Sequence, residues 1–96
     1  MTETRSALIV DDERDIRELL VLTLGRMGLR TDTAGSLAEA RAQLQPNPYH
    51  LCLTDMRLPD GSGIDLVAEI SQHHPQTPVA MITAFGNMEA AVEALK

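Results

Sequence analysis

Apolar residues along these 96 positions alternate between short continuous runs and stretches where they recur every three or four residues. Ala7-Leu8-Ile9-Val10 is a continuous run with β-branched members, which predicts a strand buried on both faces; it stops at Asp11-Asp12. Ile16, Leu19, Leu20, Thr23, Leu24 and Met27 then recur at helical spacing, and Gly28 closes the pattern as a C-terminal cap. Arg30 to Ala34 predicts a short second strand. Ser36 followed by Glu39 has capping-box spacing and opens a helix whose apolar positions are Leu37, Ala40 and Leu44; Pro46 and Pro48 break it. Tyr49 to Thr54 is a second apolar run, ended by Asp55. Leu58 to Gly63 has the composition of a loop. A third helix runs through Val67 and Ile70 and ends before Pro75. Val79 to Ile82 predicts a further buried strand ended by Thr83-Ala84, and Met88, Ala91, Val92 and Leu95 open a fourth helix.

Strands that are apolar throughout, alternating with helices, indicate an α/β domain around a parallel sheet. Right-handed crossovers bring the C-terminal ends of all the strands to one edge. Asp11, Asp12, Asp55 and Thr83 therefore share one rim, where ligands bind in such folds.

Composition narrows the class. A length of 96 residues fits one small domain. The formal charge of −6 argues against a nucleic-acid surface. With aromatics at only 2%, Tyr49 and Phe85, the core must be aliphatic. Cys52 is the single cysteine, so no intrachain disulfide forms, which fits a reducing, cytoplasmic setting; flanked by Leu51 and Leu53, it reads as a small buried hydrophobe. The Ala7–Val10 run is too short for a leader or a membrane span.

The rim carries the chemistry. Asp11-Asp12 and Asp55 end strands that are neighbours if the strand order reverses between them, about 4.8 Å apart. At 4 Å and an effective dielectric near 20, each carboxylate pair repels by roughly 4 kcal/mol. A proton, a lysine or a cation must relieve this. Hard oxygen donors without nearby His or Cys favour Mg²⁺. A partly hydrated Mg²⁺ there would neutralise an incoming phosphoryl group, and a carboxylate aimed at its phosphorus is a competent nucleophile. Blander readings exist for each residue. Asp12 would also serve as a cap on the first helix, although capping explains neither Asp11 nor Asp55. Asp60 in Pro59-Asp60-Gly61 reads as turn chemistry. Thr83 is an ordinary strand-end threonine unless its hydroxyl donates to a phosphate oxygen. His73-His74 complements a helix C-terminus. Gly61-Ser62-Gly63 fails as a dinucleotide fingerprint because Leu66 occupies the third glycine position, no Walker lysine motif is present, and an EF-hand alignment puts Met56 and Leu58 at ligand positions.

Three stretches together, Ile9-Val10-Asp11-Asp12-Glu13, Thr54-Asp55-Met56-Arg57-Leu58-Pro59-Asp60-Gly61-Ser62-Gly63 and Met81-Ile82-Thr83-Ala84-Phe85-Gly86, resemble the response regulator receiver domain of two-component signalling, in the CheY-like superfamily. Thr83-Ala84-Phe85-Gly86 looks most like receivers of NtrC/PilR-type transcription activators. The resemblance implies a flavodoxin-like doubly wound sheet of order 2-1-3-4, with the family's fifth strand and fifth helix outside these residues. It implies Asp55 as phosphoacceptor; Asp12, Asp55 and the Arg57 backbone carbonyl as Mg²⁺ ligands, with Asp11 acting through water; and Thr83 with the Ala84 amide contacting the phosphate and acting as the switch. It implies a sensor histidine kinase as phosphoryl source and an output domain, a DNA-binding activator, as the element switched. The chain itself would touch neither nucleic acid nor membrane. It would be no turnover enzyme, showing only self-catalysed phosphoryl acceptance and slow dephosphorylation. The family's phosphate-contacting lysine ends the fifth strand. Lys96 falls on a helix and does not take that role, so residues 1–96 read as one receiver cut within its fourth helix and prone to self-association. A phosphohydrolase using the same aspartyl chemistry is the competing reading, but Asp11-Asp12-Glu13-Arg14 lacks the Asp-x-Asp spacing of such enzymes. An interaction domain with degenerate chemistry is a third.

Overall fold

The structure, a computed structural model, describes residues 5–82. Thr83, Ala84, the expected fourth helix and Lys96 lie outside the described residues. In chain order the elements are β1 (Ser6–Val10), α1 (Arg14–Arg26), β2 (Arg30–Ala34), α2 (Leu37–Leu44), β3 (Leu51–Asp55), β4 (Arg57–Leu58), β5 (Gly61–Ser62), α3 (Gly63–His73) and β6 (Val79–Ile82). The main sheet has the order β2-β1-β3-β6, parallel throughout. This is the predicted order, since β6 is the fourth expected strand once the two short strands of the β4–β5 ribbon are set aside. Val10 pairs with both Ala34 and Thr54, and Asp55 with Ile82, so the strands end level with one another.

Side-chain alternation along the strands divides the core in two. Ala7, Ile9 and Leu53 face α1, which contributes Leu20 and Leu24, with Ile16 and Val21 at its margin. Leu8, Val10 and Cys52 face α2 and α3, which contribute Leu37, Ala40, Leu44, Leu66 and Ile70. Leu20 and Leu24 are 2% and 1% exposed, and such burial is worth about 2 kcal/mol for each side chain. The α1 pattern needs one correction. Leu19 and Met27 were expected to face inward and are 54% and 57% exposed. The buried line is Ile16-Leu20-Leu24, spaced by four; Leu19 lies a third of a turn away from it, and Met27 sits where the chain leaves the helix. Gly28 ends α1 as expected, at φ 86°, with its N–H on Gly25 O and the Leu29 N–H on Leu24 O.

Three further expectations change. The 58–63 stretch is not an irregular loop: Arg57 pairs with Ser62 and Leu58 with Gly61 in an antiparallel ribbon turned at Pro59-Asp60, and Gly63 already belongs to α3. Val79–Ile82 is half-buried rather than buried, because among the described residues β6 pairs along one edge only, with β3. Tyr49 precedes β3 instead of starting it. Its buried ring brings the hydroxyl to Asp32 of β2, to which it donates at 2.7 Å. Among the described residues no helix is long and apolar enough to cross a membrane.

Candidate acidic metal and phosphoacceptor site

The level strand ends gather the three predicted carboxylates. Carboxylate oxygens of Asp11, Asp12 and Asp55 all lie within 4.8 Å of one another. Asp55 is the last residue of β3, and Asp11 follows the last residue of β1, which pairs directly with β3. Asp11 is held hard. Its N–H donates to Ala34 O at 3.0 Å, its carbonyl accepts from Arg17 Nη1 at 2.7 Å, and its Oδ1 accepts from the Glu13 N–H at 2.8 Å. That last bond is an Asx turn leading into α1. The capping alternative for Asp12 fails here: the N-cap is Glu13, no side chain makes the cap bond, and the exposed Asp12 is left to the rim.

Electrostatics at the cluster are unrelieved. Asp11 is only 1% exposed, and its Oδ2 has no hydrogen-bond partner among the described residues. Burial pushes its carboxyl above the ordinary 3.8; the Glu13 N–H opposes this, and the charges of Asp55, Asp12 and Glu13 add to it. An orphaned buried carboxylate oxygen beside two more carboxylates is the donor set of a hard cation, with oxygen ligands only. The described histidines stand elsewhere. His50 precedes β3, and His73-His74 closes α3 at the opposite rim, where the His74 N–H bonds Ile70 O at 2.7 Å. Cys52 is fully buried, and burial raises its thiol to about 12, so it offers neither ligand nor nucleophile.

The main chain of Asp55 is as constrained as its side chain is available. Thr54, fully buried, donates its hydroxyl to Asp55 O at 3.0 Å. Gly63 lies so close that a Cβ there would fall on the Asp55 carbonyl oxygen. Arg57 opens the ribbon two residues beyond Asp55, exposed. Sequence reasoning missed the role of Asp60. Its carboxylate reaches beyond the turn that carries it and accepts the N–H groups of Leu37 and Ala38 at the start of α2, at 2.8 and 3.0 Å. Only the Ser36–Glu39 spacing marked that helix end, and nothing local to Asp60 points 22 residues back.

Known proteins share this sequence pattern and this fold. The family model described as the response regulator receiver domain matches residues 7–96. The response regulator protein PilR of Pseudomonas aeruginosa is 65% identical over 92 residues, covering 96% of this chain and 21% of that protein. The DNA-binding transcriptional regulator NtrC of Escherichia coli is 36% identical over 86 residues, covering 90% of this chain and 18% of that protein. The chain thus spans about a fifth of the length of these relatives. Among solved structures, the response regulator TrrA of Thermotoga maritima in complex with Mg²⁺-BeF superposes with a TM-score of 0.80 at 30% identity, covering 95% of this chain and 79% of that one. On its motifs, its sheet order and these matches, the chain belongs to the response regulator receiver domain family.

Proposed function

We propose that this chain takes a phosphoryl group on Asp55 and relays its arrival to an output domain. The observation that carries the reading is the convergence of Asp11, Asp12 and Asp55 at one strand-end rim. A sensor histidine kinase supplies the phosphoryl group. As a carboxylate oxygen of Asp55 bonds to phosphorus, the P–N bond of the kinase's phosphohistidine breaks and the imidazole leaves. Asp12, Asp55 and the Arg57 backbone carbonyl would hold Mg²⁺, with Asp11 helping through water, and the ion would supply charge neutralisation for the phosphoryl oxygens. Thr83 and the Ala84 amide contact the phosphate and carry the switch to the output domain, a transcription activator. The setting is cytoplasmic, and residues 1–96 act as one receiver unit. The chain has no turnover activity beyond self-catalysed acceptance and slow loss of the phosphate.

Incubation with acetyl phosphate and Mg²⁺, read by intact mass and peptide mapping, tests this. One phosphate on Asp55, lost in Asp55→Asn, is expected. An adduct on Asp11, Asp12 or Asp60 would overturn the assignment, and acetyl phosphate hydrolysis without an adduct would indicate a hydrolase. The 96-residue chain is also expected to self-associate. Among the described residues the outer edge of β6 is unpaired, and Val79–Ile82 carries no charge or proline to discourage pairing. Light scattering on a sizing column should give a dimer or larger species; a clean 10.5 kDa monomer at high concentration refutes it.

A further inference from the structure

The first turn of α2 leaves the N–H groups of Leu37, Ala38 and Glu39 without intrahelical partners, and two elements satisfy them. Ser36 Oγ accepts the Glu39 N–H at 3.2 Å, and Ser36 O accepts the Ala40 N–H at 3.0 Å. The remaining two, from Leu37 and Ala38, go to Asp60 at the turn of the β4–β5 ribbon. The Leu37 side chain fills the space beside Gly61 in the same ribbon. At its base the ribbon is fixed again, because the Gly63 N–H donates to Met56 O at 2.8 Å and Gly63 packs so close to the Asp55 carbonyl that no Cβ would fit between them. A paired, short stretch of backbone therefore runs without slack from the Asp60 carboxylate to the main chain of Asp55.

We propose that Asp60 is a positioning residue for the acceptor site: by fastening the ribbon tip to the start of α2, it sets where the Arg57 carbonyl and Asp55 stand relative to Asp11 and Asp12. The inference rests on the reading of this rim as the Mg²⁺ and phosphoacceptor site. Its rival is that Asp60 merely caps α2. Ser36 separates the two, because it caps the same turn without touching the ribbon.

The experiment compares amide NMR spectra and Mg²⁺ titrations of the intact polypeptide with those of Asp60→Ala, Asp60→Asn and Ser36→Ala. Without metal, Asp60→Ala should shift the amides of Asp55, Met56 and Gly63, whereas Ser36→Ala should leave them in place. With Mg²⁺, Asp60→Ala should bind about tenfold more weakly, as loss of an outer partner of a metal site does. Asp60→Asn, which keeps an acceptor oxygen, should fall between Asp60→Ala and the unsubstituted protein, and Ser36→Ala should match the latter. Unmoved Asp55 and Met56 amides in Asp60→Ala, or equal effects from Ser36→Ala, overturn the proposal. If the unsubstituted protein binds no Mg²⁺, the metal reading falls, and the metal-free amide shifts still decide for or against Asp60.

Discussion

At position 63 only a hydrogen atom fits. A methyl group there would occupy the place of the Asp55 carbonyl oxygen and come within 3.1 Å of the Thr54 hydroxyl. Backbone cannot yield as a flexible side chain tip does, so Gly63→Ala must move either α3 or the end of β3. The expected result is a stability loss of about 1–3 kcal/mol in urea unfolding, as for overpacked interiors, together with slower phosphate uptake from acetyl phosphate. Unchanged unfolding and unchanged uptake would show that the slot is loose. The acid at Asp55 was legible from its place at the end of an apolar run, because strand ends in a parallel sheet share an edge. The glycine was not legible: its constraint comes from a tertiary contact with Asp55, eight residues earlier, and the residues around it read only as a turn. Asp11 illustrates the same divide. Its membership of the cluster follows from sequence, whereas its Asx turn to Glu13 and its orphaned second oxygen follow from how tightly β1 is packed.

Helix ends show where local reading works and where it stops. Ser36–Glu39 is a local signal, and the Ser36 half of the box forms as read, while Glu39 reaches one residue further back, to the Gly35 N–H at 2.6 Å. Asp60 completes that cap from another element, and the two N–H groups of Leu37 and Ala38, in that order, hold its carboxyl below the ordinary 3.8. A carboxylate depressed in this way adds stability above its unfolded value, and that contribution is lost as pH falls below 3.8 through the lower folded value. Amide shifts of Leu37 and Ala38, followed by NMR through an acid titration, should therefore change with a midpoint below 3.8. A midpoint at or above it would mean that the bonds do not persist in solution. The exposed Leu19 and Met27 mark the complementary weakness of periodicity: it counts apolar residues on a face wider than the one the sheet covers.

Across the whole molecule, alternating apolar runs and helices made the parallel α/β class and the shared strand-end rim legible, whereas the order β2-β1-β3-β6 followed from the family resemblance, because handedness alone does not choose among the arrangements it permits. The same arrangement crowds negative charge at one rim, so a cation that binds there should stabilise the fold by mass action. Thermal unfolding should shift upward with Mg²⁺, and Asp12→Ala should lose most of the shift; a full Mg²⁺ response in that variant would place the ion elsewhere. Parallel strands also send every return connection to the far rim, where Pro75 and Gln76 lie exposed between α3 and β6. A five-residue strand spans roughly 15 Å, so that turn stands well away from the acidic cluster. The native thiol is sealed in the core, which leaves the surface of the described residues without a reactive sulfur. Gln76→Cys would therefore take a maleimide dye at a single place, giving a fluorescent reporter of folding and assembly that leaves the acidic rim undisturbed.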